Sequence, residues 1–260
     1  YTDAKLKLVA GDVNVVKDAA QVRYDMMEMA VPAAAPEAVE ERAFFEYHLY
    51  TLGRPTTIPQ ASTKQIELFD APRGVPCEKV LVYYGIDQSW RPYWSSPATD
   101  RDIGVPSNTK VDVYLSFKNS RENGMGMPLP SGRVRVSKAD PADGSLEFIG
   151  EDVIDHTAKD ETVLLKLGNS FDVVGERISR DFRIDVSQEW MEETIEVKLR
   201  NHKAEPVKVI IRESMYRWTQ WEIVESSLPN EKQDSRTIHI PVTLKADQEA
   251  TVRYKVRYTW

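Results

Sequence analysis

The sequence predicts an all-β fold: two packed antiparallel β-sandwich units of immunoglobulin-like kind, with little helix. Apolar residues recur at every second position in many short runs, which is the period of a strand with one face buried. Clusters of Gly, Pro, Asn and Asp separate these runs, and such residues make turns. No long stretch repeats the 3.6-residue period of an amphipathic helix.

The clearest runs lie in the middle and at the end of the chain. In 111–117, Val111, Val113, Leu115 and Phe117 share one face, opposite Asp112, Tyr114 and Ser116. Ile195, Val197 and Leu199 alternate with Glu196, Lys198 and Arg200. Ile238, Ile240, Val242 and Leu244 form one side of 238–244. The last strand sets Val252, Tyr254, Val256 and Tyr258 against Arg253, Lys255 and Arg257. Each pattern suits an antiparallel strand with one wet face. Shorter runs at 44–51, 64–69, 78–84, 146–149, 162–167, 207–212 and 221–225 add weaker strands. "ADPADGS" (139–145) predicts a hairpin, and "NHKAEP" (201–206) and "KADQEA" (245–250) predict further turns. "APEAVEERAFFEY" (35–47) and "SQEWMEE" (187–193) predict a helical turn or two.

The organisation expected from these runs has four parts. Residues 1–16 carry an N-terminal strand remnant. Residues 17–40, rich in Ala, Met, Pro and Glu, form a mobile connection. Residues 41–172 form the first sandwich and 173–260 the second, with the boundary in "GNSFDVVGERISRDFRID". Met26, Met27 and Met29 in the connection are adaptable contacts for a partner.

Composition narrows the function classes. The chain holds 34 basic and 41 acidic residues; 173–260 has 15 of each, so the acidic excess lies in 1–172. No concentrated basic face is present, and nucleic acid is not an expected partner. No apolar run approaches the roughly 20 residues of a membrane-spanning helix. The chain opens at Tyr1 rather than Met, which suggests a trimmed piece of a longer protein. Cys77 is the single cysteine, so no internal disulfide and no thiolate zinc site is expected.

"ENGMGMPLPSGRVRV" (122–136) poses the question of a phosphate loop. Such a loop needs a helix after its glycines and commonly ends in Gly-Lys-Ser/Thr. Here the glycines lead into a strand containing Val134 and Val136, so Gly124, Gly126 and Gly132 are expected to supply positive φ at corners. Pro128 and Pro130 keep the segment out of a central strand. The same stretch carries a resemblance. "LKLVAGDVNVV", "FFEYHLYTLGRPTTIPQASTKQIELF", "SRENGMGMPLPSGRVRVSK" and "FIGEDVIDHTAKDETVLLKLGNSFDVVGER" resemble the C-terminal domain-of-unknown-function family of predicted bacterial envelope proteins, which includes the mucoidy-inhibitor-like proteins. The resemblance spans roughly residues 4–260 and implies an exported, β-rich protein of the periplasm or outside. It implies no catalytic residues.

No catalytic residue, metal ligand or cofactor emerges from the pattern. His48, His156, His202 and His239 are too far apart for a local metal pair. His156 lies among Asp152, Asp155, Asp160 and Glu161, a charge run that is either a solvated loop or a carboxylate-rich metal or acid/base site. "TDRDIG" (99–104) begins like a calcium loop but lacks the distant bidentate Glu, which favours a plain turn. No Gly-x-Ser-x-Gly elbow occurs, and Cys77 has no nearby histidine in sequence. Aromatic residues are the strongest binding candidates: Trp90, Tyr93 and Trp94 in one cluster, Trp218 and Trp221 in another. Exposed rings would bind a glycan or a protein; buried rings would be core. The expected function is a non-enzymatic structural or protein-interaction module. Self-association or partner binding through edge strands comes first, then glycan or ligand binding by the aromatics, then a hydrolase.

Overall fold

The computed structural model describes residues 1–11, 39–68, 72–86, 95–105 and 107–260. The fold is all-β: fourteen strands and one 3-10 turn, with no α-helix among the described residues. The chain forms two compact units. Unit 1 holds Tyr1–Cys77, Phe117–Val134 and Asp152–Val163; unit 2 holds Glu78–Ser116, Arg135–Glu151 and Leu164–Trp260. The boundary expected at 172/173 falls inside a single strand, Thr162–Asp185, where no break occurs. Residues 17–38 of the expected 17–40 connection lie outside the described residues, and Val39 and Glu40 begin a strand.

Unit 1 contains a three-stranded antiparallel sheet. Strand β1 (Lys7–Ala10) and strand β2 (Val39–Phe44) flank β3 (Tyr47–Leu52). The expected helical turn at 35–47 is therefore a hairpin. Arg42 pairs with Leu49 and Phe44 with Tyr47, and a two-residue turn at Phe45 and Glu46 joins the strands. Ala and Glu favour helix locally, but pairing with β3 overrides that preference. Leu49, Tyr50 and Leu52 are buried.

The glycine-rich loop also belongs to unit 1. After the 3-10 turn Arg121–Asn123, Gly124 and Gly126 adopt φ of 74° and 95°, where an L side chain is strained. Gly132 takes no positive φ and simply opens the next strand. Buried Asn119 fastens the loop. Its Nδ2 donates to the carbonyls of Met127 (2.8 Å) and Ala158 (3.0 Å), and its Oδ1 accepts from the Gly126 N–H (3.0 Å). Tyr50 donates to the Pro128 carbonyl at 2.6 Å.

Unit 2 is built on a nine-stranded sheet. The further strands are β4 (Cys77–Tyr84), β5 (Lys110–Lys118), β6 (Gly132–Ala139), β7 (Leu146–Ile154), β8 (Thr162–Asp185), β9 (Trp190–Asn201), β10 (Val207–Ser214), β11 (Trp221–Ser226), β12 (Glu231–Lys232), β13 (Thr237–Leu244) and β14 (Glu249–Thr259). The large sheet runs β11-β14-β9-β8-β5-β4-β10-β13-β12. The pairing of β4 with β10 is parallel, with Leu81 opposite Val209 and Tyr83 opposite Ile211. The helical turn expected at 187–193 is instead a turn followed by β9. No strand forms over 64–68.

The alternation read from sequence sets the inward faces. Ile195, Val197 and Leu199 of β9, Ile238, Ile240 and Leu244 of β13, and Val252, Tyr254, Val256 and Tyr258 of β14 are buried in one apolar core. Strands β14 and β10 stand five places apart, about 24 Å across a flat sheet at roughly 4.8 Å per strand. Yet Tyr254 of β14 donates to Glu213 of β10 at 2.8 Å. The sheet must therefore curl over, so that its inner face closes on itself.

Candidate functional site

Three charged side chains interrupt the apolar inward registers of unit 2. Glu193 is in phase with Met191, Ile195, Val197 and Leu199; Glu213 with Val209, Ile211 and Met215; Arg177 with Val173 and Gly175. All three are buried, as is Arg217 just beyond β10. Two buried carboxylates and two buried guanidinium groups balance to zero charge, which is how the interior tolerates them.

They form two linked pairs. Arg177 Nε donates to Glu213 Oε2 at 3.1 Å, Tyr254 donates to the same oxygen, and Arg177 Nη1 donates to the Gly104 carbonyl at 2.8 Å. Arg217 Nε donates to Glu193 Oε2 at 3.2 Å, and the Tyr216 hydroxyl lies 2.6 and 2.7 Å from the two Glu193 oxygens. Burial works against the charge of Arg177, but Glu213 and its neighbours hold it firmly protonated. Burial, followed by the charge of Glu193, pushes the Tyr216 hydroxyl well above the ordinary tyrosine range. The cluster has the residue types of a catalytic centre, but the side chains are enclosed and committed to one another. Two atoms stand apart: Arg177 Nη2 and Glu213 Oε1 are buried without a hydrogen-bond partner.

The loop that resembles a calcium site is held by Arg217. Its Nη1 donates to the carbonyls of Ala98 (2.9 Å) and Asp100 (2.7 Å), and its Nη2 to those of Arg101 (3.4 Å) and Ile103 (3.0 Å). A guanidinium thus takes the place in the carbonyl cradle that a metal ion would fill. The Asp100 carboxylate caps the Asp102 N–H at 3.0 Å, an ordinary turn bond. Gly104, at φ 75°, is required because a Cβ would lie 2.4 Å from the Tyr216 ring.

The other candidates separate. Trp90, Tyr93 and Trp94 lie outside the described residues. Trp218 and Trp221 are partly buried against the core, and Trp221 donates its Nε1–H to the Ser235 carbonyl at 2.7 Å. His156 is exposed, and its Nδ1 accepts from the Ser131 N–H at 3.1 Å. No group of three or more His, Cys, Asp and Glu side chains fit to hold a metal occurs among the described residues. Cys77 is exposed at the start of β4.

The structure adds a feature that sequence reasoning did not single out. Strands β6 and β7 form a separate two-stranded ribbon, joined by the expected turn with Gly144 at φ 77°. In unit 2, Leu146 and Phe148 on β7 are 74% and 61% exposed, and Phe171 on β8 is 95% exposed. Gly150 lets the ribbon lie against β8: a Cβ there would sit 2.6 Å from the Leu167 carbonyl oxygen. An amphipathic pattern over 146–149 was visible in the sequence. Its exposure was not, because alternation does not reveal which strands lack a covering layer.

No known protein family, curated protein or solved structure matches the chain. Among the described residues no helix is long and apolar enough to cross a membrane.

Proposed function

We propose that the chain is a non-enzymatic structural and protein-interaction module of an exported bacterial envelope protein, and that it associates with a second copy of itself through the β6–β7 ribbon. The observation that carries this reading is the ribbon with its exposed Leu146 and Phe148. A lone two-stranded ribbon is marginal in water, and both its outer edges are unpaired among the described residues. Another copy suits this surface as the occupant, because its own ribbon presents the same unpaired edges and the same exposed Leu146 and Phe148. The opposite charges of β6 and β7 serve within one copy, where Arg135 Nε donates to Glu151 at 3.2 Å. The envelope location rests on the resemblance of the phrases quoted above. The curled sheet supports a sandwich-like architecture for unit 2, and the sealing of Glu193 and Glu213 from solvent argues against their acting on a dissolved substrate.

Sedimentation velocity over a rising concentration series tests this. The unaltered chain should shift from monomer toward dimer and larger species, and a variant with Leu146→Asp and Phe148→Asp should stay monomeric with an unchanged circular dichroism spectrum. A chain that stays monomeric at high micromolar concentration overturns the reading.

A further inference from the structure

Unit 1 contains a cleft of about 330 Å³ that no part of the interaction reading uses. Its volume lies at the lower end of small-ligand pockets, roughly 300–1,000 Å³. Four apolar side chains line it: Pro72, Met125, Met127 and Leu129. The two polar side chains on its wall, Arg121 and Glu41, carry opposite charges. The composition is thus an apolar floor with one cation and one anion.

Each charged group has capacity left. The Arg121 guanidinium is exposed and has no hydrogen bond or ion pair among the described residues. Glu41 Oε1 meets His48 Nδ1 at 2.8 Å, which orients the carboxylate and leaves Oε2 as an acceptor. The walls are also fixed in advance. Asn119 and Tyr50 bind the backbone at Gly126, Met127 and Pro128, and Leu129 exchanges backbone hydrogen bonds with Thr157 at 2.8 and 2.9 Å. Gly126 packs so close to Arg121 that a Cβ would lie 2.7 Å from its Cγ, which steers the base of that side chain. A site already held in its binding shape loses less entropy on occupation. Methionine thioethers adapt to apolar groups of varied outline.

We infer that this cleft binds a small zwitterion with an apolar side chain, of the α-amino acid class. Arg121 receives the carboxylate, Glu41 the ammonium group, and Met125, Met127 and Leu129 the side chain. A fatty acid would leave Glu41 facing a hydrocarbon, and an apolar amine would leave Arg121 without an anion. Only a ligand carrying both charges satisfies both groups.

Titration of the whole chain followed by NMR of the methionine methyl groups tests the assignment with L-leucine, L-methionine, glycine, N-acetyl-leucine and leucinamide as probes. The first two should give saturable shifts at Met125 and Met127. N-acetyl-leucine, lacking the ammonium, and leucinamide, lacking the carboxylate, should each bind about tenfold or more weakly, as expected for the loss of a charged hydrogen bond. Glycine, lacking the side chain, should give no saturable shift. Arg121→Gln should bring leucine down to the level of leucinamide. No saturable shift with leucine or methionine at millimolar concentration overturns the inference, and so does equal binding of leucine and its two blocked forms. Because the ribbon variants lie elsewhere in the chain, either proposal can fail without the other.

Discussion

Arg217 directs all three guanidinium nitrogens at acceptors: four loop carbonyls and the buried Glu193 carboxylate. Arg217→Met keeps much of the apolar stem but strands those acceptors. Urea denaturation of unit 2 should show a loss of about 3–5 kcal/mol, the usual cost of leaving one partner of a buried ion pair alone. The exposed pair between Arg183 and Asp181 offers the contrast, and Arg183→Met should cost less than about 1 kcal/mol. Glu196 behaves differently from both. Arg180, sitting at a bulge in β8, donates to it at 2.5 Å, and Arg253 opposite it on β14 donates at 2.6 Å. Those bonds, Arg180 foremost, lower its pKa from 4.5 to about 2. A depressed carboxylate stabilises the fold above its unfolded pKa and loses that contribution as pH falls through the folded value. The stability gap between the unaltered chain and Glu196→Gln should therefore be widest at neutral pH, begin to narrow below about pH 4.5, and close near pH 2. A gap independent of pH would show that the bonds do not depend on the charge.

Among the elements, long strands with strict alternation were legible, because one buried face dictates the pattern. Predicted runs at 111–117, 195–200, 238–244 and 252–258 match β5, β9, β13 and β14 within a few residues. Strand β8 covers the stretch "GNSFDVVGERISRDFRID" in which the boundary was expected. Its buried positions keep one parity on either side of 168–171, at Val163 and Leu165 and again at Val173, Gly175 and Arg177, while Asn169 and Phe171 between them are exposed and Gly168 takes φ 141°. The hairpin of β2 and β3 was misread from local composition, since its partner strand decides the outcome. The ionic centre was legible in principle: Glu193, Glu213 and Arg177 each occupy an apolar phase, a conflict that signals buried pairing. The pairing itself was not legible, because it joins residues 36 and 24 positions apart. The parallel contact of β4 with β10 carries no local signature at all.

At the scale of the whole molecule, the chain crosses between the two units five times. The segment 173–260, which reads as a complete domain, therefore lacks β4, β5 and the first part of β8. Without them Val209 and Ile211 lose Leu81 and Tyr83 as neighbours, and Arg217 loses the carbonyls of Ala98, Asp100, Arg101 and Ile103. Expressed alone, 173–260 should give a poorly dispersed amide NMR spectrum and no cooperative thermal transition; a well-dispersed spectrum would show that it folds without them. The distance along the chain between the cradle and its arginine, 114 to 119 residues, also sets an order of events. On the ribosome the cradle emerges long before the side chain that will lock it. Final closure of unit 2 therefore waits until most of the polypeptide has been made, whereas every residue of unit 1 has been synthesised once Val163 has been added.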